Sequence, residues 1–260
     1  VEGGSGRVVA GRVAEIEALG GEVHCGERVS SLAALPPSRA VLCDVSPASL
    51  VALAGDRLPA RYRRALQRFR GGPGVFKVDY ALDGPIPWAD ERLAGAGTVH
   101  VGGTLHELAA AEAEVAAGAP ATRPYVLVAQ QSMFDPTRAP AGKHTAWAYC
   151  HVPRGCTIDQ TDAIEAQLER FAPGFRERVL ARHTMGPAQL EAYNANYAGG
   201  DISGGATDLR QFLARPVASL TPWETPVPGL YLCSASTPPG AGVHGMCGWS
   251  AAQLALRRFG

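Results

Sequence analysis

The sequence has no apolar run long enough to cross a bilayer. It also has no excess of either charge, because 24 Lys and Arg side chains balance 24 Asp and Glu side chains. General binding of nucleic acid depends on a cationic surface, so this balance argues against nucleic acid as a partner. Hydrophobic residues make up 46% of the 260 residues and charged residues 18%, which is typical of a globular protein.

No two of the six cysteines form a Cys-x-x-Cys motif. Cys150 and Cys156, with His151 between them, match no common zinc-binding spacing, so we predict no metal site. Cys43 and Cys233 lie in apolar runs, which favours buried free thiols in a reducing compartment. We therefore expect a cytoplasmic location.

A complete dinucleotide-binding motif is also missing. Such a motif consists of a strand, Gly-x-Gly-x-x-Gly, a helix, and an acidic residue about twenty positions further on. Gly4 and Gly6 match the first two glycines of this motif, but no third glycine follows at the required spacing. Only three residues precede Gly4, which is too few for the strand.

Both ends of the chain alternate helices with short apolar strands, which is typical of an α/β domain. Ser46 as N-cap and Pro47 at the first helical position predict a helix that Gly55 ends. The other predicted elements are a helix over 7–19, strands over 22–25, 28–32, 40–45 and 230–234, and a helix over 249–259.

The middle of the chain has a different pattern. Residues 75–82 alternate apolar and charged side chains, which predicts a half-buried strand. Thr104 and Glu107 form a capping box that begins a helix. Further predicted elements are strands over 98–101, 125–130 and 145–152 and a helix marked by Ile164, Leu168 and Phe171. We interpret this stretch as a mixed sheet with helices, inserted as a second domain.

The strongest local signal is residues 229–248, which run from a strand through a glycine-rich turn into a helix. The start of a helix exposes unpaired N–H groups with a partial positive charge. Glycines allow a ligand to approach the backbone closely. This arrangement favours a site for negative charge.

Residues 229–248 resemble the closing motif of the phytoene-dehydrogenase-like flavoprotein family. Residues 72–88, 134–149 and 197–205 also resemble segments of that family, in the same order. The resemblance implies an α/β fold with an incomplete FAD-binding domain, Rossmann-like and of the amine-oxidase and phytoene-desaturase type. It also implies an inserted mixed-sheet substrate domain. The domain boundaries would be 1–55 and 216–260 for the FAD domain and 56–215 for the substrate domain.

By resemblance, the backbone of five consecutive residues should face the flavin of FAD: Gly242, Val243, His244, Gly245 and Met246. Val29 would hold the adenine through its backbone, and Cys43, Ser234 and Ser236 are assigned to the cofactor by position only. No general base can be named. His244 is the one candidate for a catalytic side chain, and we favour the alternative that only its backbone matters.

The implied activity is an FAD-dependent oxidoreductase that moves a hydride from an apolar small-molecule substrate to the flavin. A carotenoid-type isomerase that uses flavin without net oxidation fits the same motifs. An inactive fragment, or half of a complex, is a third alternative.

The resemblance places residues 3–6 well inside a complete family member. We therefore expect a missing amino-terminal segment, or a partner chain that supplies it, and weak or no FAD binding by this chain alone. The strands over 40–45 and 230–234 would then lack their partners. Arg61, Arg63, Arg64, Arg68 and Arg70 predict a basic helix. A solvated face is our preferred interpretation of it, and contact with an anionic membrane surface stays open.

Overall fold

The computed structural model describes residues 1–259, which form two compact units. Unit 1 comprises residues 1–26 and 73–190, and unit 2 comprises residues 27–72 and those from 191 onwards. These limits differ from the boundaries that the family resemblance implies. Residues 1–26 belong to unit 1, whereas 56–72 and 191–215 belong to unit 2.

Unit 1 contains a five-stranded sheet with strand order β3-β4-β5-β2-β6. Its strands are β2 (Gly74–Leu82), β3 (Thr98–Val101), β4 (Val126–Ala129), β5 (His144–Val152) and β6 (Val179–Met185). All four pairings are antiparallel, so the mixed sheet that the sequence predicts is antiparallel within this unit. Four strands lie within two residues of their predicted bounds, and β6 was not predicted.

One face of this sheet forms the core of unit 1. Along β2, Phe76, Val78, Tyr80 and Leu82 are buried while Lys77 between them stays half-exposed, which confirms the predicted alternation. Helix α5 (Thr161–Phe171) covers the face with its buried apolar side chains, as its pattern predicts. The short helix α6 (Phe175–Arg178) adds the ring of Phe175, edge-on to Tyr80 at a centroid distance of 5.1 Å.

Two further helices of unit 1 also agree with the prediction from the sequence. Helix α1 (Gly6–Ala18) has no buried residue. Helix α4 (Leu105–Ala116) begins with the predicted capping box, in which Thr104 and Glu107 each satisfy a backbone N–H of the other. The strands predicted over 22–25 and 28–32 are wrong. Residues 22–30 are exposed and irregular, since no neighbouring strand or core fixes them.

Unit 2 is built around two short strands, β1 (Val41–Cys43) and β7 (Leu230–Leu232). They pair in parallel with each other, and the expectation that absent strands also pair with them stays a prediction. Helix α2 (Pro47–Ala54) follows β1 and is confirmed, because the Ser46 side chain accepts the Ser49 N–H and Gly55 ends the helix.

Four more helices complete the described chain: α3 (Ala60–Gln67), α7 (Pro187–Tyr193), α8 (Leu209–Leu213) and α9 (Met246–Phe259). Ala251 and Ala255 of α9 pack on the buried ring of Tyr231 in β7. On average, full burial of a side chain the size of Leu stabilises a fold by about 1.5–3 kcal/mol, so Leu50 and Leu232 contribute substantially to unit 2. Among the helices of residues 1–259, none combines the length and apolar character that crossing a bilayer requires.

Candidate functional site

The candidate site lies where β1 and β7 end side by side. Because these strands run parallel, the segments that leave their carboxyl ends emerge at one edge of the sheet. The Cys233 N–H donates to the Cys43 carbonyl at 2.9 Å and extends the pairing by one residue. In open α/β sheets this edge is the usual place for a ligand.

Two adjoining clefts open at this edge, and we call them the strand-edge clefts. The larger has a volume of about 390 Å³ and the smaller about 300 Å³. Asp44, Ala235 and Gly242 line both of them. The larger cleft is completed by residues after β1, by residues 194–204 and by the turn after β7, whereas the smaller is completed by the start of α9.

The segment Gly240–Gly245, which we call the glycine loop, joins the turn after β7 to α9. The backbone N–H groups of Gly242, Val243, His244 and Gly245 donate to no acceptor within residues 1–259. They lie next to the N–H groups at the start of α9, so partial positive charge accumulates beside the clefts. This geometry fits an anionic or electron-rich ligand.

Gly240, Gly242 and Gly245 have the spacing Gly-x-Gly-x-x-Gly, which the sequence interpretation overlooked. Their φ angles are 103°, 151° and 64°, so the loop uses backbone conformations that favour glycine. The loop lies between β7 and α9, so it joins a strand to a helix as the loop of that motif does.

The side chain of His244, and not only its backbone, has a structural role. Its Nδ1 accepts the Met246 N–H at 3.0 Å, which caps the start of α9. The ring is exposed and lies at the smaller cleft. Because Nδ1 accepts this bond, the proton of the neutral ring lies on Nε2.

Hydrogen bonds between buried side chains and the backbone stabilise the turn after β7. Ser234 and Ser236 are buried, and the Ser234 Oγ accepts the Ser236 N–H at 3.3 Å. The Thr237 hydroxyl donates to the Ser234 carbonyl at 2.8 Å. Both serines line the larger cleft, as do Gly242 and Val243, so the structure brings these four predicted residues together.

Three other predicted residues do not line either cleft. Cys43 is buried within β1. Met246 is the first residue of α9, and its side chain is exposed. Val29 lies in the exposed irregular segment before β1.

Arg215 organises the larger cleft, and sequence reasoning missed it. Its guanidinium is buried and donates to the carbonyls of Ser203, Gly204, Ala206 and Ala235 at 2.8–3.3 Å. It thereby ties the cleft wall at Gly204 to the turn at Ala235. Burial lowers the pKa of Arg215, and the nearby Asp201 carboxylate opposes that shift.

Asp44 and Asn196 are two further residues that the sequence did not single out. Asn196 accepts the Ser46 N–H at 2.9 Å and donates to the Asp44 carbonyl at 3.2 Å, so it fixes the chain as it leaves β1. Desolvation raises the pKa of the Asp44 carboxyl. Burial, and to a smaller degree the charge of Asp44, raises the pKa of the Cys233 thiol to about 12. This thiol therefore stays protonated and is a poor nucleophile.

No metal chemistry is indicated in the described part of the chain. Within residues 1–259, no group of three or more His, Cys, Asp or Glu side chains is arranged to hold a metal ion. The six cysteines are free thiols. Cys43 is buried, as expected, whereas Cys233, for which burial was also expected, is half-buried. Cys150 and Cys247 are buried as well, and Cys25 is exposed.

No family model matches the chain. Two proteins named pyridine nucleotide-disulfide oxidoreductase domain-containing protein 2 are similar to it over 152 residues, with 36% identity for the Rattus norvegicus protein and 35% for the Mus musculus protein. Each match covers 54% of this chain and 26% of the relative, so the chain spans a minor part of these relatives' length.

Solved structures share the fold. An oxidoreductase from Methanosarcina mazei matches 99% of this chain and 55% of its own, with a TM-score of 0.61 and 18% identity. Cyclohexylamine oxidase from Brevibacterium oxydans matches 86% of this chain and 44% of its own, with a TM-score of 0.52 and 12% identity. A putrescine oxidase double mutant from a redesign of cofactor binding matches 85% and 42%, with a TM-score of 0.50 and 15% identity. These matches confirm the predicted α/β fold of the amine-oxidase type.

Proposed function

We propose that the chain forms the flavin-contacting part of an FAD-dependent oxidoreductase. The observation that carries this proposal is the row of unpaired N–H groups along Gly242–Gly245, beside a cleft at the carboxyl ends of two parallel strands. The names of the relatives and of the structural neighbours, all oxidoreductases or oxidases, support it. The resemblance of residues 229–248 to phytoene-dehydrogenase-like flavoproteins supports the choice of flavin.

The residues present fit such a cofactor. The glycine loop carries few side chains, and a Cβ added at Gly245 or Gly248 would meet no other atom within 4 Å. A flat ring system can therefore approach the backbone there. The neutral, buried hydroxyl groups of Ser234 and Ser236 add polar contacts without adding charge.

When bound, FAD supplies an acceptor for a hydride from a substrate C–H bond. The N–H groups of the glycine loop and of the first turn of α9 would hold the negative charge that reduction places on the ring. His244 would keep the start of α9 ordered, and Arg215 would keep the cleft wall in place. The substrate that we propose is an apolar small molecule, on the basis of the family resemblance.

The test is a set of ligand titrations that separate the two ends of FAD. Riboflavin and FMN share the ring end with FAD, whereas ADP shares the pyrophosphate and adenine end. We expect riboflavin, FMN and FAD to bind this chain weakly and with similar affinities, because the chain contacts only the ring end, and ADP to bind no better than phosphate. Binding can be followed by flavin fluorescence and by calorimetry.

Binding of ADP without binding of riboflavin would show that the glycine loop holds the dinucleotide phosphates. That result would reject the flavin-contacting role. Binding of none of these ligands would reject a flavin site built from this chain's own residues.

A further inference from the structure

Unit 2 contains another cleft, which shares no lining residue with the strand-edge clefts. Its volume is about 530 Å³, within the range of about 300–1,000 Å³ that is usual for sites of small organic ligands. Four residues of the stretch 65–70 and six of the stretch 210–218 line it. We call it the arginine cleft.

Three arginines line the arginine cleft, and two of them have no partner. The Arg70 guanidinium forms an ion pair with Asp208. The guanidinium groups of Arg68 and Arg210 donate to no acceptor and form no ion pair within residues 1–259. The lining contains no Asp or Glu. The cleft therefore carries positive charge that no carboxylate of its lining offsets, in a chain whose total charge is zero.

Contacts behind the cleft fix its two stretches to each other. The Gln211 Oε1 accepts the Arg70 N–H at 2.7 Å, and its Nε2 donates to the carbonyls of Arg70 and Ala206 at 3.0 Å each. The buried amide of Gln211 thus joins α8 to the segment after α3. The Phe69 ring is held as well, because the Arg215 guanidinium lies over it at 5.6 Å from the ring centroid. The cleft is therefore preformed.

The side chains of the lining restrict what can bind. Arginine donates hydrogen bonds and accepts none, and both N–H groups of the Gln211 amide are already used within the protein. The other lining side chains are apolar: Ala65, Phe69, Ala214, Pro216, Val217 and Ala218. A nucleotide or a sugar phosphate would bring hydroxyl and base groups for which these side chains offer no partner, and unpaired polar groups weaken binding. The lining matches an anionic head on an apolar body.

We propose that the arginine cleft binds a small organic carboxylate with an apolar body, such as a medium-chain fatty acid. Arg68 and Arg210 would hold the carboxylate, because a planar guanidinium donates to both of its oxygens. Phe69 and its apolar neighbours would remove the body of the ligand from water. The proposal does not depend on the flavin site, since the two sites have no lining residue in common.

The test is calorimetric titration of this chain with octanoate and with three ligands that each lack one of its features. 1-Octanol has the apolar body without the charge, acetate has the charge without the long body, and octylamine carries the opposite charge. We expect octanoate to bind roughly tenfold more tightly than 1-octanol and about a hundredfold or more tightly than acetate. Octylamine should bind more weakly than 1-octanol. This series needs only the parent chain.

Substitutions in the lining locate the site. Arg68→Gln with Arg210→Gln should lower the affinity for octanoate roughly tenfold, to that of 1-octanol, and should leave 1-octanol binding unchanged. Ala218→Trp, at an exposed position of the lining, should weaken binding of both ligands because the indole fills the space of the apolar body.

The matched control is Arg154→Gln with Arg257→Gln. Both arginines are exposed, form no ion pair within residues 1–259 and line none of the clefts described above. This variant loses the same charge as the cleft variant and should bind octanoate like the parent chain. Melting temperatures of all variants should match that of the parent chain, because the replaced side chains are exposed.

No binding of octanoate, or equal affinities for octanoate and 1-octanol, would overturn the proposal. Unchanged octanoate binding in Arg68→Gln with Arg210→Gln would also overturn it and would place the acid elsewhere on the chain. Displacement of octanoate by an equal concentration of inorganic phosphate would show a site for anions without an apolar subsite. If the chain instead sediments with anionic lipid vesicles and does not bind octanoate, the arginines contact a membrane surface, and the proposal is rejected.

Discussion

At the scale of single residues, the clearest organising contact is a buried guanidinium that bonds only to backbone carbonyls. Arg215 donates to four carbonyls from two stretches of chain, 203–206 and 235. A planar guanidinium presents five donors in a fixed arrangement, which a lysine ammonium cannot reproduce. The shape of the larger strand-edge cleft thus depends on one side chain.

Replacement of Arg215 by Met should destabilise the chain by about 3 kcal/mol, because several buried carbonyls lose their donors. Arg215→Lys should recover only part of that loss, since an ammonium reaches fewer of the carbonyls. Urea unfolding gives the free energy of unfolding for each variant. If Arg215→Met is as stable as the parent chain, the carbonyls do not depend on this residue.

His244 gives a second prediction at this scale. His244→Ala removes the acceptor of the Met246 N–H and should cost about 1 kcal/mol of stability, as loss of a helix cap does. His244→Asn should restore it, because an amide oxygen can take the place of Nδ1. Riboflavin affinity should fall modestly in His244→Ala, because the start of α9 is less ordered, and should return in His244→Asn. A large loss of riboflavin affinity in His244→Asn, with stability retained, would instead indicate a direct contact of the ring.

At the scale of elements, those with strong local signals could be predicted from the sequence. Helix α2 has Ser46, Pro47 and Gly55 in the positions that begin and end a helix, and none of these signals depends on the rest of the fold. Strand β6 could not be predicted. It lies at the edge of its sheet and has four consecutive exposed residues. Its sequence therefore lacks the alternation of apolar and polar side chains that indicates a half-buried strand.

The candidate site also contains parts that could be predicted from the sequence and parts that could not. The glycine loop was predicted because strand, turn and helix follow one another along the chain. Asn196 and Arg215 were not, since their roles depend on groups that the fold brings near them from distant positions, such as Asp44 and Ala235. No local pattern of residues marks either side chain.

Two glycines in helices allow a matched prediction. Gly248 lies in the first turn of α9 and Gly11 within α1, and an added Cβ meets no atom within 4 Å at either position. Gly11→Ala and Gly248→Ala should each raise the free energy of unfolding by about 0.5–1 kcal/mol. Only Gly248→Ala should weaken riboflavin binding, because Gly248 lines the smaller cleft. Equal riboflavin affinity in both variants would place the ring elsewhere.

At the scale of the whole molecule, buried acidic protons determine how stability changes with pH. Burial raises the pKa of the Cys150 thiol in unit 1 and that of Cys233 in unit 2 to about 12, from an ordinary value of 9.0. Burial also raises the pKa of the Tyr62 hydroxyl to about 12, from 10.0. All three groups keep their protons in the folded chain at a pH where the unfolded chain has lost them.

The chain should therefore be fully stable below about pH 9 with respect to these groups, and should lose stability as the pH rises toward about 12. Urea midpoints measured across this range would follow the loss. A variant with Cys150→Ala and Cys233→Ala should show a shallower fall, because two of the three groups no longer titrate. A parent chain whose midpoint does not change above pH 9 would contradict the assignment.

The pairing of β1 with β7 has a consequence for how the protein is made. Strand β1, at residues 41–43, pairs with residues 230–232. All of residues 73–190 leave the ribosome between these two strands, and they belong to the other unit. Strand β1 therefore cannot pair with β7 during synthesis until residues 230–232 have left the ribosome. Contacts so distant in sequence form slowly, and the first strand spends that interval without its neighbour. We expect unit 2, more than unit 1, to be open to misfolding while the chain is being made.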